Sequence, residues 1–270
     1  MIPFADASVQ RQTFPYVNAT LIAISVLVFL YEMILGGAGI LTGRAGLDLN
    51  IFFFKWGFIA HELTSGQVFT ELPIGFGRAV DIETPVPTVF TIFTSMFIHG
   101  GFMHLASNMM FVLVLGNNIE DRLGHVKYAV FYLVAGVAAT LSQWAINTDS
   151  VVPLIGASGA ISGVVGAYLM IYPNNKIKAL IIFYFITVVE MRALWLLGAW
   201  FVWQLIQGTL SLGLADSVSV AFFAHIGGFV AGVVLAGVYK IATGDPLIPR
   251  SGRRGGDPWD HWYQAGRPRD

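Results

Sequence analysis

The chain of 270 residues contains no cysteine. That excludes disulfides, thiolate metal sites and a cysteine nucleophile together, and it leaves the redox compartment unmarked. Charge is scarce too: Asp, Glu, Lys and Arg make up 11% of the chain, against about 25% in ordinary soluble domains. The 15 basic and 16 acidic side chains nearly cancel. With no extended basic patch either, nothing points to nucleic acid as a partner. What the chain has in abundance is apolar sequence, 56% of it, with a mean hydropathy of +0.69. This is the balance of an integral membrane protein whose surroundings are the lipid bilayer.

Apolar runs of membrane length fall at about 16–35, 101–116, 127–146, 154–172, 191–209 and 220–241. The first has no small-x-small cleavage site close behind it and reads as a retained span rather than a signal peptide. A seventh apolar stretch, "KIKALIIFYFITVVE" at 176–190, is short and rich in β-branched and aromatic residues. Charge decides its place. Six spans with both termini inside put 12 of the 15 Lys and Arg on the cytoplasmic side, whereas a seventh span would send the basic tail outside. The stretch therefore lies at the cytoplasmic interface or re-enters.

The expected fold is an all-α bundle of six transmembrane helices with a long first outer loop. A cytoplasmic segment (1–15) precedes the membrane domain (16–241), and a Pro-, Gly- and Arg-rich cytoplasmic tail (242–270) follows it. The loop, about 36–86, carries "IFFFKWGFIAHEL", an aromatic stretch suited to the headgroup region.

Under this orientation spans 2, 4 and 6 all run from outside to inside. Span 2 opens with "FIHGGFMHLASNMM", span 4 with "LIGASGAISG" and span 6 with "SVAFFAHIGGFVAG". His99, His104 and Asn108, then Ser158, then His225 thus sit at one depth, about 7–12 Å below the outer helix ends at 1.5 Å per residue. Polar groups inside a membrane are costly and mark function. Small residues say which helices touch. Span 4 carries Ser158, Ser162 and Gly166 at intervals of four with Gly159 and Gly163 beside them; span 6 repeats Ala224, Gly228, Gly232 and Ala236. Such stripes let backbones approach closely, which makes Ser158 and His225 neighbours: a nucleophile and a base. Each residue alone also has a packing explanation, since serine is common at such contacts and His104 and Asn108, four apart, can bridge helices. His61, His125 and His261 receive no role. A zinc site from His99, His104 and His225 is disfavoured, because no HExxH pattern or inward carboxylate supports it.

The chain resembles the rhomboid intramembrane serine proteases over residues 86–241. The resemblance rests on "HGGFMHLASN" in span 2, "GASG" in span 4 and "AHIGG" in span 6, in this order and at matching depth. It implies Ser158 as nucleophile, His225 as general base, and an oxyanion hole formed by His104, Asn108 and the backbone N–H of Ser158. His99, Gly156, Gly159 and Gly228 support the site. It further implies an acyl-enzyme route, no cofactor and no metal. The substrates implied are transmembrane proteins entering laterally from lipid and cut near the outer face. The expected location is a bacterial or archaeal cytoplasmic membrane. No Asp or Glu lies in the outer half of span 2, 4 or 6, which agrees with a dyad; Asp149 and Asp216 in outer loops remain the acids that could orient His225. Span 5 offers Trp195, Trp200 and Trp203 as a bulky gate, with Phe222 and Phe223 above the cavity. Some members carry a Trp-Arg pair where this chain reads "TVFTIF" (88–93), and some place a tyrosine where it has Ser162. A non-catalytic rhomboid-like client binder and a small transporter stay open as alternatives.

Overall fold

A computed structural model describes residues 2–6, 12–44, 46–182, 186–211 and 221–247. Ten α-helices and five short strands follow one another in these segments. Five helical stretches are long and apolar enough to cross a membrane. They are α1 (Tyr16–Gly36) with its 3-10 extension to Thr42, the stretch Phe102–Leu123, α7 (His125–Ile146), α9 (Ala193–Ser211) and α10 (Phe222–Thr243). Phe102–Leu123 consists of α5 (Phe102–Phe111), a π-helical turn (Val112–Gly116) and α6 (Asn117–Leu123). The chain is a mostly helical, polytopic integral membrane protein.

The fourth apolar run, 154–172, behaves differently. Its helix, α8, begins only at Ser158 and ends at Ile171. Fourteen residues span about 21 Å, short of the roughly 30 Å of a hydrocarbon core. Residues 154–157 stay outside the helix instead: Leu154 exchanges backbone hydrogen bonds with Phe58, and the Gly156 N–H donates to the Ser95 carbonyl (2.8 Å). Continuous hydropathy hid this boundary. α8 is buried from Gly159 through Tyr168 and forms the centre of the bundle.

α7 and α10 enclose α8, and glycine permits the contact. A Cβ on Gly228 would stand 2.0 Å from the Gly159 carbonyl oxygen, one on Gly232 1.9 Å from that of Gly163, and one on Gly166 2.3 Å from that of Phe229. The backbones of α8 and α10 therefore touch along the small-residue stripes. α10 stops at Gly244, whose positive φ (75°) lets the Gly244 and Asp245 N–H groups donate to the Ile241 and Lys240 carbonyls.

The segment between α1 and α5 is built rather than loose. It folds into α2 (Leu47–Trp56), α3 (Ala60–Ser65), the hairpin β2 (Glu71–Gly75)–β3 (Arg78–Asp81) and α4 (Thr88–Thr94). The aromatic stretch expected at the headgroups turns much of itself inward. Leu49 and Phe53 pack with Phe29, Ile40, Ile98 and Leu105, and Phe58 packs with Ile92 and Met96. Amphipathic α2 has a protein core to cover, which a membrane surface would have supplied otherwise. Glu62, buried at the foot of α4, accepts the Phe69 N–H (3.0 Å) and the Thr88 hydroxyl (3.3 Å). Burial raises its carboxyl above the ordinary range, and these hydrogen bonds partly oppose the rise.

At the end remote from Ser158, β4 (Lys176–Ile182) and β5 (Ile186–Arg192) form an antiparallel pair, in register from Lys176↔Arg192 to Ile182↔Ile186. β1 (Ile2–Asp6) adds to β4 on its other side. β-branched residues favour strands, so this non-helical connection agrees with its composition. The bundle thus carries two small sheets in its connecting segments. At the same end Glu120, fully buried, accepts the N–H groups of Val17 (2.9 Å) and Asn18 (2.7 Å). It satisfies donors that the first turn of α1 leaves open. Asn18 also bonds the Val112 carbonyl, Asn117 and Tyr128.

Candidate active site

α8 starts at Ser158, so the hydroxyl stands on a first turn whose N–H groups lack intrahelical acceptors and carry the positive end of the helix dipole. α10 starts three residues before His225, its opening fixed by the Ala224 N–H donating to Gln143 Oε1 of α7 (3.2 Å). With α8 and α10 in backbone contact just below, Ser158 Oγ and His225 Nε2 are 2.8 Å apart. Where Nδ1 carries the ring proton, Nε2 is free to accept from the serine hydroxyl. That Nδ1–H meets Gln204 Oε1 of α9 at 2.8 Å. Trp200, one turn earlier on α9, lies with its ring 6.2 Å from the His225 ring and 6.1 Å from that of Phe111.

His104 and Asn108, on one face of α5, line the same cavity of about 650 Å³ as Ser158 and His225. Asn108 is buried and its Nδ2 has no hydrogen-bond partner among the described residues. An unpaired buried amide is costly to maintain, and its donors are free for an oxygen that arrives with a ligand. Gly156 makes room for His104: its φ is +122°, and a Cβ there would fall 2.8 and 2.9 Å from His104 Cε1 and Nε2. Any other residue would be strained and would displace the imidazole. Gly159 and Gly228 are the contact that seats α10 against α8.

His99 precedes α5 and is fully buried; its Nδ1–H donates to the Phe97 carbonyl (3.1 Å), and its ring lies 5.2 Å from that of His104. It does not line the cavity with the other four. Its backbone N–H donates to Glu32 Oε1 (3.0 Å), a fully buried carboxylate of α1. Of the loop acids, Asp216 lies outside the described residues, as do His261 and the tail from residue 248. His225 turns Nδ1 to Gln204 rather than to a carboxylate. Ser162 donates to the Ser158 carbonyl (2.7 Å).

Two polar residues at this end escape the sequence reading. Glu32 carried a usable signal, a lone carboxylate in a 21-residue apolar helix. Gln204 carried none that separates it from Gln207 on the same helix. The proposed gate residues divide. Trp195 and Trp203 are 64% and 56% exposed and line an outward groove of α9 with Leu194, Val202 and Ile206, whereas Trp200 faces the site. Phe222 and Phe223 lie against Gly208 of α9.

A hydroxyl hydrogen-bonded to an imidazole whose far nitrogen is held can pass its proton to that ring and attack a carbonyl. Unpaired donors alongside suit the negative oxygen such an attack creates.

Comparison with known proteins places the chain as a whole. The chain is similar to RHOMBOID-like protein 1 of Arabidopsis thaliana (29% identity over 160 residues, 57% of this chain and 35% of that one). It is similar to RHOMBOID-like protein 7 of the same plant (31% over 147 residues, 54% and 42%). It also matches the rhomboid protease GluP of Bacillus subtilis (28% over 119 residues, 44% and 23%). In each case it spans less than half of the relative's length. A model of the Rhomboid domain matches residues 87–241, the stretch that holds His99, His104, Asn108, Ser158, Gln204 and His225, and with more than half of its length covered this chain belongs to the rhomboid family.

Proposed function

We propose that this protein is an intramembrane serine endopeptidase that cuts transmembrane segments of membrane proteins through an acyl-enzyme. The observation that carries the reading is the 2.8 Å hydrogen bond between Ser158 Oγ and His225 Nε2 inside a cavity shared with His104 and the unpartnered Asn108 amide. Ser158 Oγ attacks the scissile carbonyl as its proton passes to His225 Nε2. The negative oxygen of the tetrahedral intermediate is met by Asn108 Nδ2, by the Ser158 N–H at the start of α8, and by His104. His225 then returns the proton to the leaving amine. A water entering the cavity gives its proton to His225 as it attacks the acyl-enzyme, and His225 passes that proton to Ser158 Oγ as the new carboxyl end departs.

The peptide must reach Ser158 in extended form, so the substrate is a spanning helix that unwinds near its end. Entry is lateral, past the Trp195–Trp203 face of α9. The basic-residue distribution supports a membrane orientation with both termini cytoplasmic and the Ser158 end of the bundle toward the outer face.

The test is labelling with a fluorophosphonate. The wild type is expected to become modified at Ser158, located by mass spectrometry of the labelled peptide, and Ser158→Ala to remain unlabelled. A folded wild type that resists the probe would refute the protease reading and favour a non-catalytic client binder.

A further inference from the structure

We propose that Gln204 is a positioning residue that holds the base in its working tautomer, so that this chain uses an uncharged third member, Ser158–His225–Gln204, rather than a dyad alone. The inference rests on the protease reading and deepens it. Two hydrogen bonds meet on one imidazole, 2.8 Å to Ser158 Oγ at Nε2 and 2.8 Å to Gln204 Oε1 at Nδ1. Neutral imidazole has one N–H and one lone pair. Gln204 Oε1 only accepts, which places the proton on Nδ1 and the lone pair on Nε2. That is the tautomer able to take a proton from serine. Without an acceptor at Nδ1 the ring gains nothing from this tautomer, and it can rotate or move its proton to the nitrogen facing Ser158.

Nothing else among the described residues does this work. Ser162, on α8 one turn after Ser158, spends its hydroxyl on the Ser158 carbonyl. Trp200 offers His225 a ring but no acceptor. Gln204 is itself buried, with little water to compete for Nδ1. An amide suits the site better than a carboxylate would, because a charge at this depth would need a partner of its own. The bond also ties α9 to α10 beside the serine, so the base is oriented only while α9 is seated.

The perturbation is Gln204→Leu, with Gln204→Met as a second apolar variant of closer shape and Gln204→Glu to restore an acceptor oxygen. Losing the hydrogen bond to the charged imidazolium of the transition state corresponds to at least about a tenfold loss of rate. The apolar variants are expected to acylate with a small soluble fluorophosphonate at least about tenfold more slowly than the wild type. They should lose kcat on a membrane substrate to a similar degree, with KM little changed. Gln204→Glu is expected to recover most of the acylation rate. Because a small soluble probe needs no lateral entry, a role for Gln204 only in gating would leave acylation untouched and overturn the inference. Equal losses in Leu, Met and Glu variants would overturn it too, by showing that the acceptor oxygen is not what matters. Failure of both apolar variants to fold would make Gln204 a fold determinant and overturn it as well. A readout independent of proteolysis is the 15N spectrum of His225. A single Nδ1–H tautomer in the wild type, lost in Gln204→Met, supports the assignment whether or not the protein cleaves peptides. An Nε2–H tautomer in the wild type refutes it. A wild type inert to the fluorophosphonate, by contrast, counts against the protease reading itself.

Discussion

Substituting Gly228 by alanine should disable the site without touching any of its polar atoms. Gly228 follows His225 by three residues, and Gly159 follows Ser158 directly. The added Cβ would begin 2.0 Å from the Gly159 carbonyl oxygen, where real contacts essentially never fall below 3.0 Å. The partner is helix backbone, so no side chain can rotate away. α10 and α8 must part by about 1 Å, and overpacking of this kind costs about 1–3 kcal/mol. Passed to the site in full, the shift stretches the Ser158–His225 contact from 2.8 Å to about 3.8 Å, outside hydrogen-bond range. A misplacement of about 1 Å lowers the rate by about 10²-fold. Turnover of a model transmembrane substrate in reconstituted vesicles, with thermal unfolding measured on the same preparation, reads both effects. Gly237→Ala is the control on the same helix, since its Cβ would meet only Met170 Cε at 3.6 Å, an ordinary contact. It should leave turnover and stability near wild type. Gly228→Ala with turnover within threefold of wild type and unchanged stability would refute the argument that glycine sets the distance between the two side chains.

Asn108→Ala is expected to lower kcat by about 10²–10³ with little change in KM, the usual loss for one oxyanion donor. If Asn108 only bridges helices, thermal stability falls instead and kcat of the folded fraction holds. Glu120→Ala removes the acceptor of the Val17 and Asn18 N–H groups and should cost about 2–4 kcal/mol in unfolding experiments. It lies at the far end of the bundle, so kcat per folded molecule should stay unchanged; a selective loss of kcat would contradict that assignment. Trp203→Ala, on the exposed face of α9, should alter turnover of membrane substrates while leaving acylation by a small fluorophosphonate as it was. Equal changes in both would place Trp203 in the chemistry rather than in entry.

Much of the bundle was legible because membrane insertion simplifies sequence. A helix in lipid must be apolar along its length, so a polar residue or a row of glycines stands out. The interval of four in Gly228 and Gly232, matched by Gly159 and Gly163, sufficed to pair α8 with α10. Its consequence, a serine and a histidine at one depth, needed only the direction of each span. Three things were hidden. The start of α8 was masked by an apolar run that continues unbroken through Leu154 and Ile155, although these residues pair with Phe58 or lead into Gly156 rather than extending the helix. The fate of Phe53 and Phe58 depended on a protein surface to cover, and that surface comes from α1, α4 and α5. Gln204 was hidden because α9 is apolar on nearly every side, with no stripe to fix its rotation. Only the packed neighbours select Gln204 over Gln207.

Whether Ser158 and His225 act as one chemical unit is read from cleavage of a transmembrane substrate by three variants in vesicles. These are Ser158→Ala, His225→Ala and the double substitution, each checked for folding by its thermal transition. Neither residue fills a large volume, so all three should fold. Each single variant is expected to abolish cleavage to the same residual level and the double variant to lose nothing more, since residues acting as a unit are strongly non-additive. Cleavage at the wild-type rate by well-folded Ser158→Ala, or losses from the two single variants that multiply in the double, would contradict that expectation.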